Sequence, residues 1–153
     1  MTLFGLAKAL ECESYLEIGA SLGGSVIVIA QAISRKIVVV DLYEDHSSRQ
    51  LCAALARIHS EGKAVTGIAG DSTSPTTVAR VRSEGPFDLV MIDGGHSYDT
   101  VKSDWLQYGP MATKAVAFHD IAQPGVARLW EEIGGGLEIK SKFTTMGFGV
   151  VFL

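Results

Sequence analysis

Five short apolar runs, each followed by a stretch long enough for a helix, constrain the fold of this chain more than any other feature. The runs are SYLEIG at 14–19, KIVVVD at 36–41, AVTGIAG at 64–70, FDLVMID at 87–93 and AVAFHD at 115–120. They are nearly continuous in Val, Ile, Leu and Ala, which is typical of parallel strands covered by helices on both faces. The pattern predicts an α/β fold with a doubly wound, mostly parallel sheet built from βαβ units.

The carboxyl-terminal part of the chain predicts two further strands. After the fifth run a short helix is expected over 126–133, the glycines at 134–136 end it, and apolar stretches follow at 137–143 and 148–152. The intervening TTMG is too short for a crossover helix, so the two stretches should form an antiparallel hairpin. The expected sheet therefore has seven strands, and at 153 residues the chain should form one domain over 1–153.

Charge and composition exclude several kinds of partner. The net charge is −4 and the 13 basic residues are scattered along the chain, so the basic surface of a nucleic-acid-binding protein is not expected. No apolar run approaches the roughly 18 residues of a membrane span, and the first residues do not read as a signal peptide. The two cysteines show no metal-ligand spacing, which is typical of thiols in a reducing compartment. We therefore expect a cytoplasmic protein without a membrane or nucleic-acid partner.

A glycine turn joins the first predicted strand to its helix and is the first candidate binding element. It reads EIGASLGGS over 17–25, with glycines at 19 and 23. Ligands of open α/β sheets bind at the carboxyl ends of the strands, beside the first strand, and glycine allows the backbone to approach a ligand closely. The GxGxxG spacing of nicotinamide-dependent enzymes is missing, because the glycine after Gly19 comes only at Gly23. The alternative is that these glycines only make a tight turn.

Acidic residues follow the second and third strands. Asp41 lies about 20 residues beyond the glycine turn, where a carboxylate can accept hydrogen bonds from both hydroxyls of an adenosine ribose. Asp71 and Ser72 either contact an adenine or cap the helix that begins at Pro75.

The most specific motifs follow the fourth and fifth strands: IDGGHSYDTVKSDW at 92–105, HD at 119–120 and GVARLW at 125–130. The combination resembles the class I S-adenosylmethionine-dependent methyltransferases, in particular a small family with the pattern IDGxHSYxxVxxD, and it is similar to macrocin-type O-methyltransferases and proteins called cephalosporin hydroxylases. The resemblance extends from Tyr15 to Trp130. A terminal antiparallel hairpin after five parallel strands agrees with this class. The resemblance implies S-adenosylmethionine as cofactor and methyl transfer to a small-molecule acceptor, with a hydroxyl group as the expected methyl acceptor.

The resemblance also implies roles for individual residues. Glu17 and Gly19 should lie near the methionine part of the cofactor, Asp41 on the ribose, and Asp71 and Ser72 near the adenine. The complete expected cofactor-binding set is Glu17, Gly19, Ala20, Ser21, Gly23, Asp41, Leu42, Asp71, Ser72 and Asp93.

Four side chains are expected to face the transferred methyl group: Asp93, His96, His119 and Asp120. Metal-dependent relatives hold Mg²⁺ with residues that correspond to Asp93, His119 and Asp120, but an imidazole ligand suits a transition metal at least as well. Alternatively, His96 or His119 acts as general base, and Asp93 or Asp120 orients an imidazole. Each residue taken alone could also be a turn cap or a loop hydrogen-bonding group.

Two other functions compete with methyl transfer. One is a nicotinamide-dependent oxidoreductase on a similar sheet, against which the glycine spacing and the terminal hairpin argue. The other is a non-catalytic module of the same fold, against which the four converging titratable groups argue. A homodimer is also expected, because an acceptor site on so short a chain would otherwise be open to water.

Overall fold

A computed structural model describes residues 2–43, 45–139 and 146–153. Strands and helices alternate along the chain as the apolar runs predict. The elements are α1 (Leu3–Ala9), β1 (Ser14–Ile18), α2 (Gly24–Ala30), β2 (Lys36–Asp41), α3 (Asp45–Ser60), β3 (Val65–Ala69), α4 (Pro75–Glu84), β4 (Phe87–Ile92), α5 (Tyr98–Tyr108), a 3₁₀ turn (Gly109–Met111), β5 (Ala112–His119), α6 (Pro124–Glu132), β6 (Leu137–Ile139) and β7 (Phe148–Phe152).

The strands form one seven-stranded sheet in the order β3-β2-β1-β4-β5-β7-β6. The first five strands are parallel, and β7 pairs antiparallel with both β5 and β6. The predicted doubly wound sheet and the antiparallel pairing at its end are therefore confirmed. Part of the predicted stretch 137–143 and the first two residues of the TTMG link lie outside the described residues.

Both faces of the sheet are buried, which explains why the strand sequences do not alternate. Leu16, Val38, Val90 and Val116 lie in the apolar cluster on one face. Their chain neighbours Tyr15, Val39, Met91 and Ala117 lie in the cluster on the other face. Since the side chains of a strand point alternately to the two faces, helices on both sides require apolar residues at every position.

The fifth strand begins earlier than its apolar run indicates. It starts at Ala112, so the polar residues Thr113 and Lys114 also belong to the strand. The Thr113 hydroxyl donates to the Asp88 carboxylate at 2.9 Å, and the Lys114 ammonium donates to the Leu10 and Glu11 carbonyls. Polar contacts therefore hold the start of this strand, and a search for apolar runs does not detect it.

The chain reverses its direction of winding between β1 and β4, which are neighbours in the sheet. Strands added after β1 extend the sheet on one side, and strands from β4 onward extend it on the other. In such sheets the loops that leave the carboxyl ends of the two central strands diverge and open a crevice between them.

In the described ranges, no helix has both the length and the apolarity needed to cross a membrane.

Candidate active site

A cavity of about 540 Å³ opens at the carboxyl ends of the central strands. Its wall is made by the ends of β1 and β2 and by the loops that follow β1, β2, β3 and β4. The lining residues are Ile18, Gly19, Ser21, Val40, Asp41, Leu42, Gly70, Asp71, Ser72, Thr73, Asp93, Gly94, Gly95 and Thr100. The cavity thus lies at the switch point where a ligand site is expected.

The two glycines of the first turn are required for different reasons. Gly19 has a φ of +83°, and a Cβ there would lie 2.3 Å from the carbonyl oxygen of Asp93. Gly23 has a φ of +78°, and a Cβ there would lie 2.9 Å from the Ala54 Cβ on α3. Gly19 therefore brings the β1 and β4 loops together at the cavity, whereas Gly23 allows helix packing. Gly19 makes a tight turn and also lines the cavity, so the interpretation as a binding turn stays a prediction.

Asp41 connects the second strand to the glycine turn. One of its carboxylate oxygens accepts the Ser21 N–H at 2.8 Å, and the other accepts the Tyr43 N–H at 3.0 Å. Each carboxylate oxygen has further lone-pair sites, so these two bonds leave capacity for a ligand. Asp41 lines the cavity together with Ser21 and Leu42. The carboxylate is thus held in place by the backbone before any ligand binds.

In the turn after β3, neither Asp71 nor Ser72 is the N-cap of α4, because Ser74 holds that position. The Asp71 carboxylate accepts the backbone N–H and the hydroxyl of Thr73, both at 2.8 Å, and these bonds lower the pKa of Asp71. Asp71 and Ser72 also line the cavity. The local turn therefore shapes the wall, and it does not exclude contact with a ligand.

Three residues of the predicted binding set do not line the cavity: Glu17, Ala20 and Gly23. Glu17 is 1% exposed and lies beneath the glycine turn, where the Tyr15 hydroxyl donates to it at 2.7 Å and the Ser25 hydroxyl donates to its other oxygen. Burial raises the pKa of Glu17 to about 7, although both hydroxyl groups oppose the shift. Its carboxyl group therefore supports the turn from below.

The four titratable side chains predicted to face the methyl group lie together beside the cavity. Asp120 is central, because its carboxylate oxygens lie 3.1 Å from the His96 Nε2 and 2.9 Å from the His119 Nδ1. The Asp93 carboxylate lies 3.4 Å from the same His119 nitrogen and also lines the cavity. The cluster and the cavity therefore share Asp93.

Asp120 adopts a backbone conformation that most residues avoid. Its φ is +55°, in the left-handed region, where aspartate and asparagine are tolerated better than other side chains. Strained residues of this kind are found where the surrounding structure fixes a functional side chain. Here the conformation follows directly after β5 and places the carboxylate between the two imidazoles.

The charges of the cluster favour a cation at its centre. The hydrogen bond with Asp93, reinforced by the negative charges of Asp93, Asp120 and Glu17, raises the pKa of His119. Three possible ligand atoms lie within 4.8 Å of one another, one from each of Asp93, His119 and Asp120. Two carboxylates and an imidazole at this separation can hold either a proton on His119 or a divalent cation.

Several residues that line the cavity were not predicted from the sequence, notably Gly94, Gly95 and Thr100. A Cβ on Gly95 would lie 2.7 Å from the Thr100 methyl group, so the glycine lets the loop after β4 fold onto the start of α5. The double glycine of IDGGHS was the available signal, because consecutive glycines at a strand end indicate close backbone approach.

Residues 16–121 match the family model of a methyltransferase domain, and this range covers more than half of the chain. The chain belongs to this methyltransferase family. The predicted class of enzyme is thus confirmed, and the nicotinamide-dependent alternative is not favoured. No curated protein matches the sequence of this methyltransferase domain.

Solved structures share the fold of this methyltransferase domain. The O-methyltransferase TomG from Streptomyces achromogenes, in complex with SAM, has a TM-score of 0.77 and 18% identity over 99% of this chain and 77% of TomG. An O-methyltransferase from Bacillus cereus in complex with SAH has a TM-score of 0.75 and 15% identity over 99% of this chain and 78% of its own. Cofactor-bound Rv0187 from MTB has a TM-score of 0.78 and 19% identity, covering 98% of this chain and 77% of that protein. The predicted methyltransferase fold is confirmed.

Proposed function

We propose that this domain transfers the methyl group of S-adenosylmethionine to a hydroxyl group of a small molecule. The observation that carries the proposal is the adjacency of the cavity and the cluster of Asp93, His96, His119 and Asp120 through their common residue Asp93. The presence of SAM or SAH in structures of the same fold supports the choice of cofactor.

The cavity wall suggests how the cofactor lies. The methionine part faces Gly19 and Asp93, next to the cluster. The ribose hydroxyls donate to Asp41, whose carboxylate is already oriented by the Ser21 and Tyr43 amides. The adenine lies at the other end of the cavity, between the turn of Asp71 and Ser72 and the start of α5. This order places the sulfonium methyl nearest the titratable side chains, as in-line transfer requires.

The side chains of the cluster suit the chemistry of an O-methyl transfer. The acceptor oxygen forms a bond to the methyl carbon, the carbon–sulfur bond breaks with its electron pair on sulfur, and the acceptor proton must leave. A neutral imidazole of His96 or His119 can take that proton, and Asp120 contacts and orients both rings. Removal of the proton as the new bond forms makes the acceptor oxygen a better nucleophile.

The same residues fit a divalent metal. Asp93, His119 and Asp120 would hold it, and the imidazole nitrogen in this set favours a transition metal over Mg²⁺, which prefers oxygen ligands. When bound, such a metal supplies a Lewis acid that lowers the pKa of an acceptor hydroxyl. His96 contacts Asp120 from outside this set of three, so it remains available as a base or as an orienting group.

Transfer of a labelled methyl group from S-adenosylmethionine to a panel of phenols, catechols, sugar alcohols, amines and thiols tests the proposal. We expect labelled ether product with at least one hydroxyl compound, and no labelled product with matched compounds that lack that hydroxyl.

A chelator then separates the two models of proton removal, since a metal-dependent enzyme loses activity and a histidine-base enzyme keeps it. Label found only in amine or thiol acceptors would contradict the proposed O-methylation.

We also propose a cytoplasmic homodimer. The free thiols of Cys12 and Cys52, one buried and one exposed, are compatible with a reducing compartment. Leu22 and Leu106 are more than half exposed, and a homodimer would bury apolar side chains of this kind at its interface. Trp130 is only 6% exposed and packs edge-on against Phe118, so it belongs to the core.

A further inference from the structure

The GVARLW motif at 125–130 begins with Gly125, a residue that the proposed mechanism does not use. Gly125 lies in the first turn of α6, and its backbone is not in the left-handed region. A Cβ on this residue would lie 2.2 Å from the carbonyl oxygen of His96 and 2.6 Å from the backbone nitrogen of Tyr98. Both are backbone atoms, which no side-chain rotation can move aside. Glycine is therefore required here for space, because α6 lies in direct contact with the loop after β4.

The loop that Gly125 touches carries His96, one of the four side chains of the cluster. His96 is followed by Ser97, the N-cap of α5, whose hydroxyl accepts the Thr100 N–H at 3.2 Å. This cap fixes the residue at which α5 begins. His96 thus lies in the short entry to a helix, and the position of its imidazole depends on how the backbone of this entry is held.

The start of α6 is also tied to the loop after β5. The N–H of Gln123, the N-cap of α6, donates to the Asp120 carbonyl at 2.8 Å. The first turn of α6 therefore holds the loop of Asp120 by this bond and contacts the loop of His96 at Gly125. Between these two loops, the His96 Nε2 lies 3.1 Å from the Asp120 carboxylate. A change in the approach at Gly125 therefore changes this distance.

Further contacts between α5 and α6 hold the two helices in this arrangement. The Tyr98 hydroxyl and the Lys102 ammonium both donate to the Glu132 carboxylate, the ammonium at 2.7 Å. The Arg128 guanidinium lies over the Tyr98 ring, 3.7 Å from its centroid. Exposed contacts of this kind are individually weak, but these four side chains form a network. A separation of the helices near Gly125 would disturb that network.

We propose that Gly125 is a positioning residue for methyl transfer: the close approach of α6 that it permits places the His96 imidazole at Asp120. The network of Tyr98 and Glu132 maintains that approach. A Cβ at position 125 would push the His96 carbonyl away by about 1 Å, because carbon and oxygen atoms in contact are about 3.3 Å apart. A displacement of this size can lower a rate about 100-fold. The inference rests on the proposed function, in which His96 takes the acceptor proton or acts as an orienting group.

Turnover of Gly125→Ala with a proven acceptor, measured in the parent and in a His96→Gln background, tests this role. We expect alanine at position 125 to lower turnover at saturating cofactor by at least about tenfold in the parent. In the His96→Gln background the loss should be less than about twofold, because the positioned group is already absent. A variant that only reduced the folded fraction would lose the same factor in both backgrounds, and that result overturns the inference.

Affinity for S-adenosylhomocysteine separates positioning of the acid–base group from damage to the cofactor site. Neither Gly125 nor His96 lines the cavity, so the dissociation constant of Gly125→Ala should stay within about threefold of the parent. A loss confined to cofactor affinity, with turnover at saturating cofactor unchanged, contradicts the inference.

The imidazole resonances of the chain without acceptor give a second readout. Gly125→Ala should shift the ring signals of His96, which the His96→Gln variant assigns, and leave those of His59, an exposed residue on α3, unchanged. Unshifted His96 signals overturn the inference. Shifted signals in a chain that methylates no hydroxyl compound support the placement of His96 and overturn the proposed function instead.

Gly85→Ala is the matched control. A Cβ on Gly85 would lie 3.5 Å from the nearest atom, on the Phe87 ring, which is an ordinary contact. The residue precedes β4 and is thus at the end of the sheet opposite the cavity. We expect turnover and the His96 signals of this variant to match those of the parent.

Thermal unfolding of each variant checks the fold. If Gly125→Ala does not fold, Glu132→Ala takes its place, because it removes the acceptor shared by Tyr98 and Lys102 and adds no atom at the start of α6. We expect turnover to fall by about threefold in the parent and to stay unchanged in the His96→Gln background. No loss in the parent, or an equal loss in both backgrounds, overturns the inference.

Discussion

Replacing Asp120 by Ala is expected to lower the turnover number for methyl transfer by about 10²–10⁴-fold, the range typical of a lost acid–base group. Cofactor affinity should change by less than about threefold, because Asp120 contacts His96 and His119 and does not line the cavity. A group that acts mainly on the transition state affects turnover more than ground-state binding. Single-turnover kinetics and cofactor titration of the same preparation measure the two quantities.

The left-handed backbone at Asp120 requires a second variant as control. Alanine at a φ of +55° is strained by about 1–2 kcal/mol, which could move the loop and imitate a catalytic effect. Asp120→Asn keeps the size of the side chain and tolerates this conformation, but removes the charge. We expect a comparable loss of turnover in both variants. Near-normal turnover in the asparagine variant, with a proven acceptor, would reduce the role of Asp120 to that of a turn former.

Replacing Asp41 by Ala should have the opposite effect, weakening cofactor binding by at least about 100-fold while turnover at saturating cofactor stays within a few-fold. Hydrogen bonds to a charged group contribute about 1.5–3 kcal/mol each, and two ribose hydroxyls are expected to donate to this carboxylate. About 1.4 kcal/mol corresponds to a tenfold change in the dissociation constant. Equilibrium titration with S-adenosylhomocysteine measures the change.

The role of Asp41 in the protein itself sets the control for this prediction. Its carboxylate also holds the Ser21 and Tyr43 amides, so alanine removes both the ligand contacts and the support of the glycine turn. Asp41→Asn retains one oxygen acceptor and should lie between the parent and the alanine variant in affinity. Equal affinities in all three proteins would show that the ribose does not bind at this carboxylate.

The strands and the cluster could be predicted from the sequence because each depends on a pattern that is local. Runs such as KIVVVD are apolar at successive positions, since both faces of the sheet are covered by helices. Asp93, His119 and Asp120 occur at the ends of neighbouring parallel strands, and such ends meet at one edge of a sheet. Because β4 and β5 are neighbours in the sheet, these residues lie close together.

The direction in which a side chain points could not be predicted in the same way. Glu17 is the second-last residue of β1, beside the glycine turn, yet its side chain is buried and accepts hydrogen bonds from the Tyr15 and Ser25 hydroxyls. Asp104 looks like an ordinary polar residue of a helix, and only the packing of α5 against Gly94 shows that its carboxylate is buried. Both cases depend on tertiary packing around a single side chain, which no local pattern records.

Calorimetric titration of the unaltered chain with S-adenosylhomocysteine and, separately, with NADH tests the central claim most directly. The cavity at Gly19, Asp41 and Asp71 has the acidic residue expected at a ribose and lacks the glycine spacing of a dinucleotide site. We therefore predict saturable binding of one S-adenosylhomocysteine per chain and no heat of binding with NADH at millimolar concentration. Binding of NADH without binding of S-adenosylhomocysteine would contradict the account.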